Sequence, residues 1–175
     1  MKKILVNCPH CFNTMTNEYP DFGGKLEVIR AGDLVSKLVH DGKIKLTKSM
    51  DKNITYHDSC YYGRFNGVYE EPRHLLEHVP GAKLTEMDKS RGKGTCCGAG
   101  GGRMWMEEPA DQRVNHMRVD QAMEKKPDVI ATSCPYCRIM IGNGVTDKGI
   151  EEKVQVMDVM QIVASSMETK SQPPT

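Results

Sequence analysis

The 175-residue sequence has no apolar run near the roughly 20 residues that a membrane-spanning helix needs, and no secretory leader pattern follows Met1. These absences predict a cytoplasmic chain with no transmembrane segment, peripheral at most to a membrane complex. Charge of one sign is lacking too: 24 basic residues face 23 acidic ones, for a formal net charge of +1. Nothing therefore indicates a nucleic-acid or anionic-lipid surface. A closed disulfide framework is also missing, because the cysteines number seven and no leader sends them to an oxidising compartment. Clustered thiols in a reducing compartment more often bind metal or do redox work. Hydrophobic residues make up 38% of the chain and the mean hydropathy is −0.53, which suits a globular protein with one good core.

Short β-like runs alternate with helix-like stretches. Lys3 to Val6, Leu26 to Ile29, Ile54 to His57, Lys83 to Met87, Val129 to Thr132 and Val154 to Met157 read as strands. Leu34, Leu38 and Val39 mark one amphipathic stripe, Met106 to Lys125 reads as a long polar helix, and Val159, Ile162, Val163 and Met167 mark the last helix. This alternation predicts an α/β fold with a short, mostly parallel sheet flanked by helices. The polar, Pro-rich end at 171–175 reads as a disordered tail.

A faint internal repeat is present. Ile4-Leu5-Val6-Asn7-Cys8-Pro9-His10-Cys11 resembles Val129-Ile130-Ala131-Thr132-Ser133-Cys134-Pro135-Tyr136-Cys137, and a strand followed by a helix comes after each. Residues 1–45 then form the back end of one repeat, and residues 46–170 a complete second one.

Cysteine spacing carries the chemistry. The stretch Thr95-Cys96-Cys97-Gly98-Ala99-Gly100-Gly101-Gly102-Arg103 lies between Cys60 and the pair Cys134 and Cys137. Thirty-five residues separate Cys60 from Cys96, and thirty-five separate Gly98 from Cys134. Two thiolates on adjacent residues would strain the backbone around one small tetrahedral ion, whereas a cluster offers each sulfur a different iron. Cys60 and Cys134 each follow a strand, where the loops of a parallel sheet gather. Pro135 suits the first turn of a helix, which would place Cys134 at a helix N-terminus, where N–H groups favour thiolate. The glycines let backbone pass close to a bulky inorganic group.

His57-Asp58-Ser59-Cys60-Tyr61-Tyr62-Gly63-Arg64 and Cys96-Cys97-Gly98-Ala99-Gly100-Gly101-Gly102-Arg103-Met104-Trp105, together with Cys134-Pro135-Tyr136-Cys137, resemble the cysteine-rich CCG domain of heterodisulfide-reductase-B-like proteins and related iron–sulfur oxidoreductases. The resemblance covers nearly the whole chain. It implies one noncubane [4Fe–4S] cluster held by Cys60, Cys96, Cys97, Cys134 and Cys137, and a role in electron transfer or thiol–disulfide redox chemistry. The family has two CCG repeats, and only Cys8 and Cys11 of the first are here, so the resemblance implies a C-terminal portion, a split subunit or a truncated product. It also implies partners: a flavoprotein or iron–sulfur subunit, or a second copy in a homo-oligomer.

Other readings stand beside these. Zinc on the two Cys-Pro-x-Cys pairs would make a structural interaction module without redox turnover, leaving Cys60, Cys96 and Cys97 idle. Cys8 and Cys11 suit zinc, an incomplete second cluster, or free thiols. His57 is a candidate proton donor to a substrate thiolate, although a strand-end histidine bonded to backbone is the more ordinary role. Arg64 and Arg103 are candidate counter-charges for an anionic cluster or a carboxylate substrate, unless merely solvated. Met104, Trp105 and Met106 would shield a cluster or pack a helix, and 107–126 reads as a solvated helix face.

Overall fold

A computed structural model describes residues 2–168, so the tail expectation for 171–175 lies outside the described residues. Two strands, β1 (Lys2–Val6) and β2 (Leu26–Arg30), pair in parallel, with α1 (Pro9–Asn13) between them and α2 (Ala31–His40) after them. The following segment contributes β3 (Asn53–His57), α3 (Cys60–Asn66), α4 (Glu70–Glu77), β4 (Lys83–Leu84), α5 (Val114–Met123), β5 (Val129–Thr132), α6 (Pro135–Asp147), β6 (Gln155–Asp158) and α7 (Val159–Ser166). Its four strands form a second sheet in the order β4-β3-β5-β6, and every ladder is parallel. The fold is α/β, as the alternation predicts.

A parallel strand covered on both faces needs a continuous apolar run rather than alternation. Val129-Ile130-Ala131-Thr132 is such a run, and all four residues are buried. Val129 and Ala131 enter one core with Leu75 and Leu76 of α4 and Ile162 and Val163 of α7. Ile130 faces the opposite core, with Val119 and Ala122 of α5 and Ile141 and Val145 of α6. Ile54, Ile130, Ile141 and Ile162 are fully buried, each worth about 1.5–3 kcal/mol of apolar transfer.

Three expectations are corrected. The run from Met106 is not one helix: Pro109 lies ahead of a single 3₁₀ turn, and the α-helix begins only at Val114. That helix is no solvated face either, because Asn115, Arg118, Val119 and Ala122 are buried. The strand at Lys83 ends at Leu84, and beyond it Glu86 turns to an arginine while Met87 enters the core.

The two sheets meet through their helices, with Glu71 of α4 seated over Gly32 of α2. A Cβ at Gly32 would lie 2.0 Å from Glu71 Oε1, so a larger residue there would push the carboxylate aside. Burial, then the nearby Asp33 carboxylate, raises Glu71 to about 7 from an ordinary 4.5, against the pull of Arg30. Below the unfolded pKa both states are protonated, and above pH 7 both are ionised with the folded state carrying the burial penalty. Stability is therefore lost as pH rises from about 4.5 to about 7. Glu71→Gln is expected to raise the melting temperature by several degrees at pH 8 and to change it little at pH 4. An equal shift at both pH values in thermal melts would count against this ionisation cost.

Candidate metal centre

The chain reverses its direction of travel across the sheet between β3 and β5: the path from β3 goes outward to β4, then returns past β3 to β5. The crevice at the strands' C-terminal ends opens at such a switch point. Cys60 follows β3 as the first residue of α3, Cys96 and Cys97 lie in the β4–α5 connection, and Cys134 follows β5. Three connections thus deliver thiols to one place.

Local backbone explains how each is held. Cys134 is the N-cap of α6, in extended conformation, with Pro135 at the first helical position and Arg138 N–H donating to its carbonyl at 2.9 Å. Gly63 N–H donates to Ser59 O at 2.8 Å, closing the first turn of α3 beneath Cys60. Gly98 has φ +93°, and a Cβ there would come within 3.2 Å of Val114 Cβ, so glycine lets the Cys-Cys loop lie down on α5. Its N–H donates to Cys96 Sγ at 3.3 Å. Gly100, Gly101 and Gly102 face open space instead, and Trp105 is 82% exposed, so this tryptophan neither covers the thiols nor packs a helix.

All seven cysteines are free thiols. Cys97, Cys134 and Cys137 are buried, while Cys60 and Cys96 are half-buried. Interactions between thiols link Cys60 to Cys96, Cys96 to Cys97, Cys97 to Cys137 and Cys137 to Cys134, so the structure brings all five together. They compete for negative charge. Hydrogen bonds from Cys60 and Cys97 hold Cys96 far below the usual thiol range. At Cys134 the hydrogen bond from Cys137 outweighs burial, helped by the α6 N–H groups, and lowers the thiol to about 7. Cys60 is driven up by its bond to Cys96 and then by burial. For Cys97 the bond with Cys137 pulls down, but the bond to Cys96 and burial together win, raising it to about 12. The cluster of thiols cannot all ionise without a positive charge among them.

Cys8 and Cys11 form a separate pair at the start of α1. Cys8 is half-buried and Cys11 exposed. His10, between them in sequence, places Nδ1 3.8 Å from Cys8 Sγ and 3.9 Å from Cys134 Sγ. Its ring lies against Tyr61 at 4.1 Å, tilted by 36°, and meets Tyr136 edge-on at 5.1 Å. The first Cys-Pro-x-Cys turn thus rests against the second, a contact that sequence reading missed because it crosses 124 residues.

His57 is buried, and a ring nitrogen of it lies with Cys97 and Cys137 Sγ in a group whose members are within 4.8 Å of one another. Burial first, then the Arg118 charge, lowers its pKa to about 3, so the imidazole is neutral. Its expected backbone partner is replaced by a side chain: Arg118 Nε–H donates to Nδ1 at 2.9 Å, which leaves the ring proton on Nε2. Arg64 is exposed and donates through Nη2 to Gly94 O at 2.6 Å, bracing the loop before Cys96. Arg103 is paired with Glu108. The basic group buried near the thiols is Arg118, which lies within the stretch expected to be solvated; its only signal was its place in helical register with Val119 and Ala122.

Asp58 and Arg73 hold the frame. Arg73 is fully buried, donates to both oxygens of Asp58 at 2.8 and 3.0 Å and to Glu86 at 2.5 and 3.0 Å, and sits 5.0 Å over the Tyr56 ring. Asp58 also accepts from Arg91 N–H at 2.7 Å. The loop carrying Cys60 is thereby tied to the connection carrying Cys96.

The residues present fit an iron–sulfur group. Five soft donors exceed the four of a tetrahedral ion, and the group whose atoms lie within 4.8 Å of one another, His57, Cys97 and Cys137, holds no carboxylate among the described residues. Beside them, the buried Nη2 of Arg118 has no hydrogen-bond partner among the described residues, as a cation placed for a bound anion would. Among the described residues, no helix is long and apolar enough to cross a membrane.

A family model described as the CCG cysteine-rich domain matches residues 54–142. The chain is 46% identical to the "probable iron-sulfur-binding oxidoreductase FadF" of Bacillus subtilis, over 95% of this chain and 24% of that protein. It is 43% identical to the EtfAB:quinone oxidoreductase of Syntrophomonas wolfei, over 96% of this chain and 24% of the relative. With a subunit of the dihydromethanophenazine:CoB–CoM heterodisulfide reductase of Methanosarcina barkeri the identity is 35%, over 95% and 41%. The chain thus spans about a quarter to two fifths of the length of these relatives. The matched segment runs from β3 into α6 and contains all five converging thiols, and the chain belongs to the CCG cysteine-rich domain family.

Proposed function

We propose that this chain is the cluster-bearing part of an iron–sulfur oxidoreductase of the heterodisulfide-reductase-B-like type, with Cys60, Cys96, Cys97, Cys134 and Cys137 as ligands of one noncubane [4Fe–4S] cluster. The observation that carries the reading is the meeting of five free thiols at the sheet's switch point. The names of the relatives, which include iron–sulfur-binding, quinone-linked and heterodisulfide-reducing proteins, support the same class.

Bound there, such a cluster would supply one-electron transfer, used for relay or for thiol–disulfide chemistry. The chain's own residues do the rest. Burial of Cys97, Cys134 and Cys137 keeps water from half of the site. Cys60 and Cys96 border a narrow cleft lined also by Arg64 and Arg91, the side from which an anionic thiol or a redox partner would approach. Residues 1–45 serve as the remainder of a preceding repeat, with residues 46–170 as the complete one. Partners are a flavoprotein or iron–sulfur subunit, or a second copy.

Zinc on Cys8, Cys11, Cys134 and Cys137 is less well supported, because Cys137 joins Cys97 and Cys11 is exposed. Anoxic reconstitution with iron and sulfide separates the two readings. About four irons per chain with broad visible charge-transfer absorption are expected. Stoichiometric zinc and no iron after that treatment would defeat the cluster.

A further inference from the structure

Arg118 is the most deeply buried cation that the frame around Asp58 leaves unused. Its side chain is 0% exposed. Three anchors fix it: Nε donates to His57 Nδ1 at 2.9 Å, and Nη1 donates to Lys89 O and Gln121 Oε1, both at 3.0 Å. None is a carboxylate, and Asp58, whose charge acts on Arg118, is already gripped by both terminal nitrogens of Arg73. Nη2 remains buried with no hydrogen-bond partner among the described residues. His57 links this guanidinium to the thiols: it accepts from Nε, and one of its ring nitrogens lies within 4.8 Å of Cys97 and Cys137 Sγ.

A buried guanidinium without an anion is costly, and a protein that needed only packing would do better with an apolar side chain there. The neutral His57 ring cannot compensate it, and the backbone carbonyl and amide oxygen bring only dipoles. Among the described residues, and apart from Asp58, which Arg73 already pairs, the thiol site is where negative charge in reach of Arg118 would accumulate.

We propose that Arg118, oriented by His57 and Gln121, is the internal counter-charge of the metal centre, raising the reduction potential of the cluster held by Cys97 and Cys137. The proposal rests on the iron–sulfur reading above. The physical reason is that each added electron increases the negative charge of a thiolate-ligated cluster, and a fixed cation in a poorly screened interior favours that added electron. Arg118 is a positioning and tuning residue, and substrate need not touch it.

The test compares the parent chain with Arg118→Met, Arg118→Gln and Arg118→Lys, each reconstituted anoxically with iron and sulfide. Iron content, the thermal melt of the metal-free protein and the midpoint potential from an EPR-monitored titration are measured. In Arg118→Met the metal-free protein should melt no lower than the parent, because an unpaired buried charge has been removed. At the parent's midpoint, its ratio of reduced to oxidised cluster should fall about tenfold, a downward shift of about 59 mV for a one-electron couple. Arg118→Gln should shift in the same direction, and Arg118→Lys should recover most of the parent's potential. Unchanged potentials in iron-loaded Met and Gln variants would overturn the proposal. So would unfolding of both metal-free variants, which would make Arg118 a packing hub. A parent chain that takes up no iron would defeat the iron–sulfur reading itself, and this inference with it.

Discussion

Arg73→Ala is expected to lower stability by about 3–5 kcal/mol, the range for removing one partner of a buried ion pair and stranding the other. The stranded group is Asp58, whose side chain is 4% exposed and which keeps, among the described residues, the Arg91 N–H as a hydrogen-bond partner. For a chain of this size the loss corresponds to a fall of roughly 6–20 °C in melting temperature. Burial alone would weaken the charge of Arg73, but the bonds to Asp58 and Glu86 outweigh it and hold the guanidinium firmly protonated. Arg73→Lys should recover only part of the loss, since one ammonium cannot serve two carboxylates as a planar fork does. Asp58 adjoins Ser59 and Cys60, and Glu86 opens the connection that leads to Cys96, so the same change should also reduce iron uptake. A melt within two degrees of the parent would show that this network is dispensable.

Cys97→Ser should have the largest effect on the metal. Cys97 is the middle thiol of the five, linked to Cys96 on one side and Cys137 on the other, and it belongs to the core formed with Val119 and Ile141. Swapping sulfur for a poorly coordinating hydroxyl should cost the fold only about 1 kcal/mol. Iron uptake should fall from about four per chain to less than one, with loss of the visible absorption. Cys11→Ser is the control: an exposed thiol of the other pair, its loss should leave the iron count unchanged. Full iron loading of Cys97→Ser would sink the five-thiol reading. Zinc held by the two Cys-Pro-x-Cys turns would give the reverse pattern, surviving the Cys97 change and released by the Cys11 change.

Much of this was legible in the residues. Val129 to Thr132 is a strand with the expected bounds, because four consecutive buried residues between turn-forming neighbours admit little else. Pro135 announced the start of α6 and put Cys134 at its N-cap, since proline has no N–H to lose there. The equal spacing about the Cys-Cys pair pointed to thiols on successive connections, and those connections do open on one edge.

Long-range partners were not legible. Beyond its helical register with Val119 and Ala122, Arg118 looks like Arg113, which is paired with the partly exposed Asp147; tertiary packing decides that one faces His57 and the other is partly exposed. The same holds for His10, whose approach to Cys134 depends on how α1 docks on α3, and for Arg103, which lies near the glycine loop yet turns to Glu108. Spacing, proline and glycine act within a few residues, so the sequence alone determined most of the strands and turns and singled out the thiols to be placed. Tertiary structure decided which buried charge stands beside them, because burial and pairing depend on elements distant along the chain being packed into one low-dielectric interior.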